Sequence, residues 1–224
     1  MKKSEEIRKR ILSANGSFLA NDNISEHISG DDLEQLEKEV AESVGSLLSS
    51  LVIDTENDHN TRETAARVAK MFLREVYRGR YTPPPKITDF PNAKRLDELY
   101  TVGPVTIRSA CSHHLVPIMG RAWIGVIPSD RVIGLSKFNR LTEWIMARPQ
   151  IQEEATVQLA DEIERLIQPK ALAVVVKASH LCMTWRGVRE AETSMTTSVM
   201  RGAFRDSDAA RQEFFSIIKG QGYV

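Results

Sequence analysis

Val102-Gly103-Pro104-Val105-Thr106-Ile107-Arg108-Ser109-Ala110 is the stretch on which the fold turns. Val105 and Ile107 alternate with Thr106 and Arg108, the period-two pattern of a strand with one buried face. Arg121 to Pro128 reads as its hairpin partner. The period then lengthens. In Lys137–Arg148, Phe138, Leu141, Trp144 and Ile145 fall in helical phase, as do Ala155, Leu159, Ile163 and Leu166 in Glu153–Gln168. Ala171–Ala178 is a β-branched run, Glu192–Met200 a strand rich in threonine and methionine, and Ser207 to Lys219 a last helix. The order β-β-α-α-β-β-α predicts an α+β protein with a mainly antiparallel sheet.

Working back from that stretch, Tyr81-Thr82-Pro83-Pro84-Pro85 cannot be helix or central strand and reads as an extended linker. Before it, Thr61 to Arg78 fits a helix with Val68, Met71, Phe72 and Val76 on one face and Gly79 as its stop. The segment from Asp31 is a second helix. Asp31 and Glu34 form a capping pair, and Leu33, Leu36, Val40, Val44, Leu47, Leu48 and Leu51 recur at helical spacing. Residues 1–30 are polar and broken by Asn15-Gly16, Asn21-Asp22-Asn23 and Ser29-Gly30, so at most a short helix near Glu5–Leu12 is expected there. The domain reading is a flexible arm at 1–30, a helical region and linker at 31–85, and a catalytic domain at 86–224.

Composition narrows the function. Thirty acidic residues balance thirty basic ones in 224 residues, so net charge gives no reason to expect nucleic acid or an anionic membrane as partner. No apolar run approaches the roughly 20 residues that span a bilayer. The start, Met1-Lys2-Lys3-Ser4-Glu5-Glu6-Ile7-Arg8, lacks the apolar core of a signal peptide. A soluble, cytoplasmic protein is expected, with reduced thiols.

Both cysteines and three of the five histidines fall in two short segments, Cys111-Ser112-His113-His114 and His180-Leu181-Cys182. Two bland readings compete: a disulfide, disfavoured in a reducing compartment, and buried free thiols that pack as small hydrophobes. The paired Cys-x-x-His and His-x-Cys spacings favour metal, because thiolate and imidazole are zinc ligands and Cys111, His114 and Cys182 supply three of them. A structural zinc site closes with four protein ligands, whereas a catalytic one keeps three and an open place for water. His113 and His180 stand within two residues of these ligands as proton-transfer groups, with an ordinary pKa of about 6.5. The expected cofactor is Zn²⁺ and the expected chemistry hydrolytic.

Several ordered segments carry a resemblance. Cys111-Ser112-His113-His114-Leu115-Val116-Pro117, Gly134-Leu135-Ser136-Lys137, Arg148-Pro149-Gln150-Ile151-Gln152-Glu153, His180-Leu181-Cys182-Met183 and Arg186-Gly187-Val188 closely resemble the motifs of the GTP cyclohydrolase I family, over roughly residues 31 to 218. The resemblance implies conversion of GTP and water to formate and 7,8-dihydroneopterin triphosphate, the first step toward folates and related pterins. It also implies the tunnelling fold, an antiparallel four-stranded sheet with two helices in the order β-β-α-α-β-β, preceded by N-terminal helices. A homodecamer with active sites between subunits is implied as well, and an antiparallel sheet with two open edges has physical reason to close into a ring.

By the same resemblance Cys111, His114 and Cys182 bind zinc, His113 is the acid that protonates the purine ring nitrogen, and His180 moves protons during ribose opening. Ser136, Lys137, Arg140, Arg186, Arg67 and Lys70 meet the triphosphate. The first three also open a helix, whose free N–H groups favour an anion. Glu153 accepts the adjacent N–H donors of guanine, with Gln152 beside it near the ribose. The chain departs from the family at three places: Ser112 replaces an acid, Thr64-Ala65-Ala66-Arg67 lacks a proline, and Glu154-Ala155 replaces Arg-Leu. Ser112 motivates one alternative, a divergent cyclohydrolase feeding deazaguanine synthesis, and the departures together motivate another, a non-catalytic GTP- or pterin-binding paralogue.

Overall fold

The computed structural model describes residues 1–223, which divide into two compact units, one over residues 1–83 and one from residue 84 onward.

The first unit is helical: α1 (Lys3–Ser13), a 3₁₀ turn (Ser25–His27), α2 (Gly30–Ser50), α3 (Thr64–Lys70), a π-helical turn (Met71–Val76) and α4 (Arg78–Tyr81). Its core joins Ile7 and Ile11 of α1 to Ile24, Leu33, Leu36 and Leu73. The cap of α2 lies two residues before the Asp31–Glu34 pair read from the sequence. Ser29 Oγ accepts from the Asp32 N–H (3.1 Å), and Asp32 Oδ2 accepts from the Ser29 N–H (2.9 Å). Asp32 wins because it is buried there against two cations of α1, Arg10 at 2.8 Å and Lys3 at 3.2 Å, whereas Asp31 faces solvent.

The expected single helix over Thr61–Arg78 is also reshaped. It starts at Thr64, widens at Met71, and Gly79 lies inside α4 rather than ending the helix. The i→i+5 bond from Tyr77 N–H to Phe72 O (3.0 Å) puts these aromatics on one face, where the rings stack at 5.0 Å. Farther along α2, Leu47 and Leu51 are 56% and 60% exposed, so the apolar stripe outruns the core that this chain provides.

In the second unit β1 (Asp89–Pro91) pairs with β4 (Arg131–Ile133) as a small ribbon. The main sheet contains β2 (Tyr100–Cys111), β3 (Pro117–Ile127), β5 (Pro149–Gln150), β6 (Ala171–His180) and β7 (Met195–Gly202), in the order β5-β2-β3-β6-β7. The four long strands are antiparallel, and β5 adds a two-residue parallel bridge to the end of β2. Helices α5 (Leu135–Met146) and α6 (Gln152–Ile167) follow β4 and β5, α7 (Leu181–Thr184) follows β6, and α8 (Ala203–Asp206) and α9 (Asp208–Gly220) end the chain. The α+β expectation holds.

The sheet is covered on both faces. Ala122, Ile124 and Val126 of β3, with Leu172, Val174 and Val176 of β6, pack under Phe138, Leu141, Leu159 and Ile163 of α5 and α6. The alternate residues Trp123, Ala173 and Val175 pack with Phe204, Phe214 and Ile218 of α8 and α9. Burial on both sides explains why β6 reads as a continuous apolar run rather than an alternation. On β2 the bulge between Val102 and Val105 shifts the register, so that Val102, Val105 and Ile107 all enter the α5/α6 core while Thr106 and Arg108 face out.

Candidate metal centre

Cys111 is the last residue of β2. The chain then turns sharply: Leu115 N–H returns to Cys111 O (2.8 Å), Cys111 N–H bonds Val116 O (2.9 Å), and Leu115 takes the left-handed conformation, φ +56°. This tight loop presents His113 and His114 beside their own cysteine. Cys182 arrives from the other side of the sheet pair, on α7 just beyond β6, whose His180 lies opposite Ile118 of β3. The two strand ends therefore meet, and the ligand atoms of Cys111, His114 and Cys182 lie within 4.8 Å of one another. No disulfide joins the cysteines.

Two sulfurs and one imidazole at such separations fit a tetrahedral ion with metal–sulfur bonds of about 2.3 Å and metal–nitrogen bonds of about 2.0 Å. Burial, and then the neighbouring Cys111, push the Cys182 thiol above its ordinary pKa. A thiol reluctant to ionise beside a second sulfur is the electrostatic condition that a bound cation would relieve. Cys111 is buried and Cys182 half-buried against Ile118, Ala178 and Val116, while His114 is exposed, so the trio has a dry side and a wet side.

Around the trio, His113 Nδ1 lies 3.6 Å from Cys111 Sγ. Arg186 Nη1 is 2.8 Å from His114 Nε2. His180 Nε2 is 2.8 Å from Gln152 Oε1. Burial lowers the His180 pKa, opposed by the negative charge of Glu153. Glu153 is the second residue of α6 and is exposed. Ser136, Lys137 and Arg140 lie in the first turns of α5; Ser136 and Arg140 are exposed, and the Lys137 ammonium is 3.4 Å from Lys86 O. Arg67 and Lys70 are exposed on α3 of the first unit, where Arg67 pairs with Glu63 at 2.6 Å.

The family profile of GTP cyclohydrolase I matches residues 40–219. The chain belongs to the GTP cyclohydrolase I family. Its curated relatives named GTP cyclohydrolase 1 include one from Pectobacterium carotovorum, 37% identical over 84% of this chain and 86% of that protein. Another, from Flavobacterium johnsoniae, is 39% identical over 84% of this chain and 83% of that protein. A third, from Erwinia tasmaniensis, is 39% identical over 80% and 81%. Among the described residues no helix is long and apolar enough to cross a membrane.

Several residues around this cluster escape a sequence reading. Gln150 Nε2 donates to Ile145 O (2.9 Å), Ser109 Oγ (3.1 Å) and Met146 O (3.3 Å), closing the C-terminal end of α5 while its backbone bridges β2. The buried Arg148 guanidinium stacks 4.2 Å over Trp144. Thr156 and Thr197 are bonded to each other at 2.7 Å beneath Gln152. One signal was available: Thr156 stands one helical turn after Gln152, a polar residue on an otherwise apolar face.

Proposed function

We propose that the chain is a zinc-dependent GTP cyclohydrolase that converts GTP and water to formate and 7,8-dihydroneopterin triphosphate, the first step of tetrahydrofolate and pterin synthesis. The observation that carries this reading is the meeting of Cys111, His114 and Cys182 within 4.8 Å. Zinc is the metal best suited to two thiolates and an imidazole with one place left open. When bound, it supplies the Lewis acidity that makes water a competent nucleophile at neutral pH.

The chain's own residues then divide the remaining work. His113, next to the ligands, is assigned the delivery of a proton to the purine ring nitrogen as the five-membered ring opens. His180, held neutral by burial, is assigned to proton transfer at the ribose. Ser136, Lys137 and Arg140 at the start of α5, with Arg186, Arg67 and Lys70, are assigned to the triphosphate, which needs convergent cations and N–H donors. Glu153 is assigned to the two adjacent N–H donors of guanine, and its exposure at the start of α6 supports that role. The exposed Leu47 and Leu51 and the open edge at β7 support assembly of copies of this chain, which we take as the family's decamer with active sites between subunits. We assign residues 86–224 to the tunnelling fold and the protein to the cytoplasm.

The test is formate release from GTP by zinc-loaded protein, with the pterin identified by mass and by fluorescence after oxidation. Cys111→Ser and Cys182→Ser should abolish formate release and lower bound zinc. Full activity in metal-free protein refutes the zinc assignment, and formate without neopterin refutes the product.

A further inference from the structure

We propose that Gln152 is a positioning residue for His180, held by Thr197 and Thr156, which fixes the imidazole with its proton on Nε2 and leaves Nδ1 as the nitrogen that exchanges protons with substrate. This deepens the functional reading above and rests on it for the role of His180.

The argument begins with burial. Gln152 is 3% exposed and Thr156 is 1% exposed, so every polar atom of this group must find its partner within the protein. The Gln152 amide nitrogen lies 3.1 Å from Val176 O, 3.1 Å from Met195 O and 3.1 Å from Thr197 Oγ1. Two of these are backbone carbonyls, which only accept. Only the NH₂ end of the carboxamide can face them, so turning the amide over would place oxygen against oxygen. The carboxamide oxygen is therefore committed to the other side, 2.8 Å from His180 Nε2. An amide oxygen cannot donate, so Nε2 must carry a hydrogen. In the neutral ring the lone pair is then on Nδ1.

The hydroxyls complete the ordering. Thr156 Oγ1 donates to Gln152 O at 2.7 Å, which uses its only hydrogen, so at its 2.7 Å contact with Thr197 it must accept. Thr197 thus donates to Thr156 and accepts from the Gln152 amide. The two amide hydrogens serve three acceptors, so one is shared, and the network links α6, β6 and β7 through a single side chain. The arrangement spends the NH₂ end of Gln152 on the protein and turns its oxygen to His180, so its effect on the reaction passes through His180 rather than through donation to substrate.

The two roles make opposite kinetic predictions, read from formate release by zinc-loaded, full-length protein. Gln152→Met, of similar length but unable to accept, should lower kcat about ten- to a hundredfold with KM for GTP within about threefold. In a His180→Ala background the same change should cost nothing further. A raised KM at unchanged kcat, or an equal loss in both backgrounds, overturns the proposal. Tautomer is the readout that needs no activity. In ¹⁵N-histidine-labelled wild-type protein, with the His180 signals assigned by their loss in His180→Ala, solid-state NMR should show a protonated Nε2 and a bare Nδ1. A bare Nε2 refutes the proposal even if the enzyme is fully active. Wild-type protein that shows the expected tautomer but releases no formate refutes the functional reading and leaves the hydrogen-bond assignment standing.

Discussion

The face of the sheet covered by α9 makes a quantitative test of how the second unit packs. Gly125 of β3 lies directly under Phe214: a Cβ placed on Gly125 would stand 2.5 Å and 2.7 Å from two carbons of its ring. Ordinary carbon contacts lie near 3.5–4.0 Å, so the ring would have to retreat by about 1 Å. Its retreat is blocked by Phe204 and Phe215, whose ring centroids are 5.6 Å and 5.4 Å away. Gly125→Ala should therefore cost about 1–3 kcal/mol through overpacking. Phe214→Ala, at a fully buried position, should cost about 3–5 kcal/mol through the cavity it leaves. In the double variant the added methyl group enters that cavity, so the two changes must couple. The double variant should be no less stable than Phe214→Ala alone, a coupling of about 1–3 kcal/mol. Equilibrium denaturation followed by tryptophan fluorescence measures this, because Trp123 lies in the same cluster. Costs that add to within about 0.5 kcal/mol would show that Gly125 and Phe214 are not in contact and refute the packing argument.

Three further outcomes are expected. Gly202 has φ +57°, and an added Cβ would lie 2.1 Å from Lys170 O, a backbone atom that cannot step aside, so Gly202→Ala should cost about 3 kcal/mol and lower Tm by roughly 6–12 °C in a thermal melt. The Arg10 guanidinium, and then the Ser29 N–H, hold the Asp32 carboxyl well below the usual carboxylate range. A depressed carboxylate pKa stabilises above the unfolded value of about 3.9 and loses that contribution as pH falls; Tm measured from pH 7 to 3 should therefore drop less steeply in Asp32→Asn than in wild type, and an equal slope would exclude the linkage. Arg140→Ala should raise KM for GTP about tenfold with kcat within about twofold and weaken the salt dependence of KM in steady-state assays; an unchanged KM would remove Arg140 from phosphate binding.

Much of the second unit was legible because its periods are clean. β2 alternates and the helices α5 and α6 keep helical phase, while β6 and β7 show as β-branched and threonine-rich runs. The cap of α2 differs from the sequence reading because two pairs stand at capping spacing, Ser29–Asp32 and Asp31–Glu34, and tertiary contact with Arg10 and Lys3 selects the first. The π turn at Met71–Val76 leaves no pattern, since it costs one hydrogen bond and is repaid by a stacked pair of rings five residues apart. The metal trio was visible because cysteine and histidine are scarce and their chemistry narrow. The supports of His180 were not, because glutamine and threonine are common, and their meaning lies in which atom faces which.

The two-residue bridge of β5 has a consequence for how such an enzyme can change. Ala110 and Cys111 pair with Pro149 and Gln150, and Ser112 N–H bonds Gln150 O at 3.1 Å, only two residues before α6 begins with Gln152 and Glu153. One ligand and the proposed guanine reader therefore hang from the same short rung of main chain. A lineage drifting toward a different base cannot slide that carboxylate along without also tugging a sulfur off its mark. Novelty in what is bound is thus steered toward side-chain replacement on a fixed frame, and away from insertions in the loop between α5 and α6.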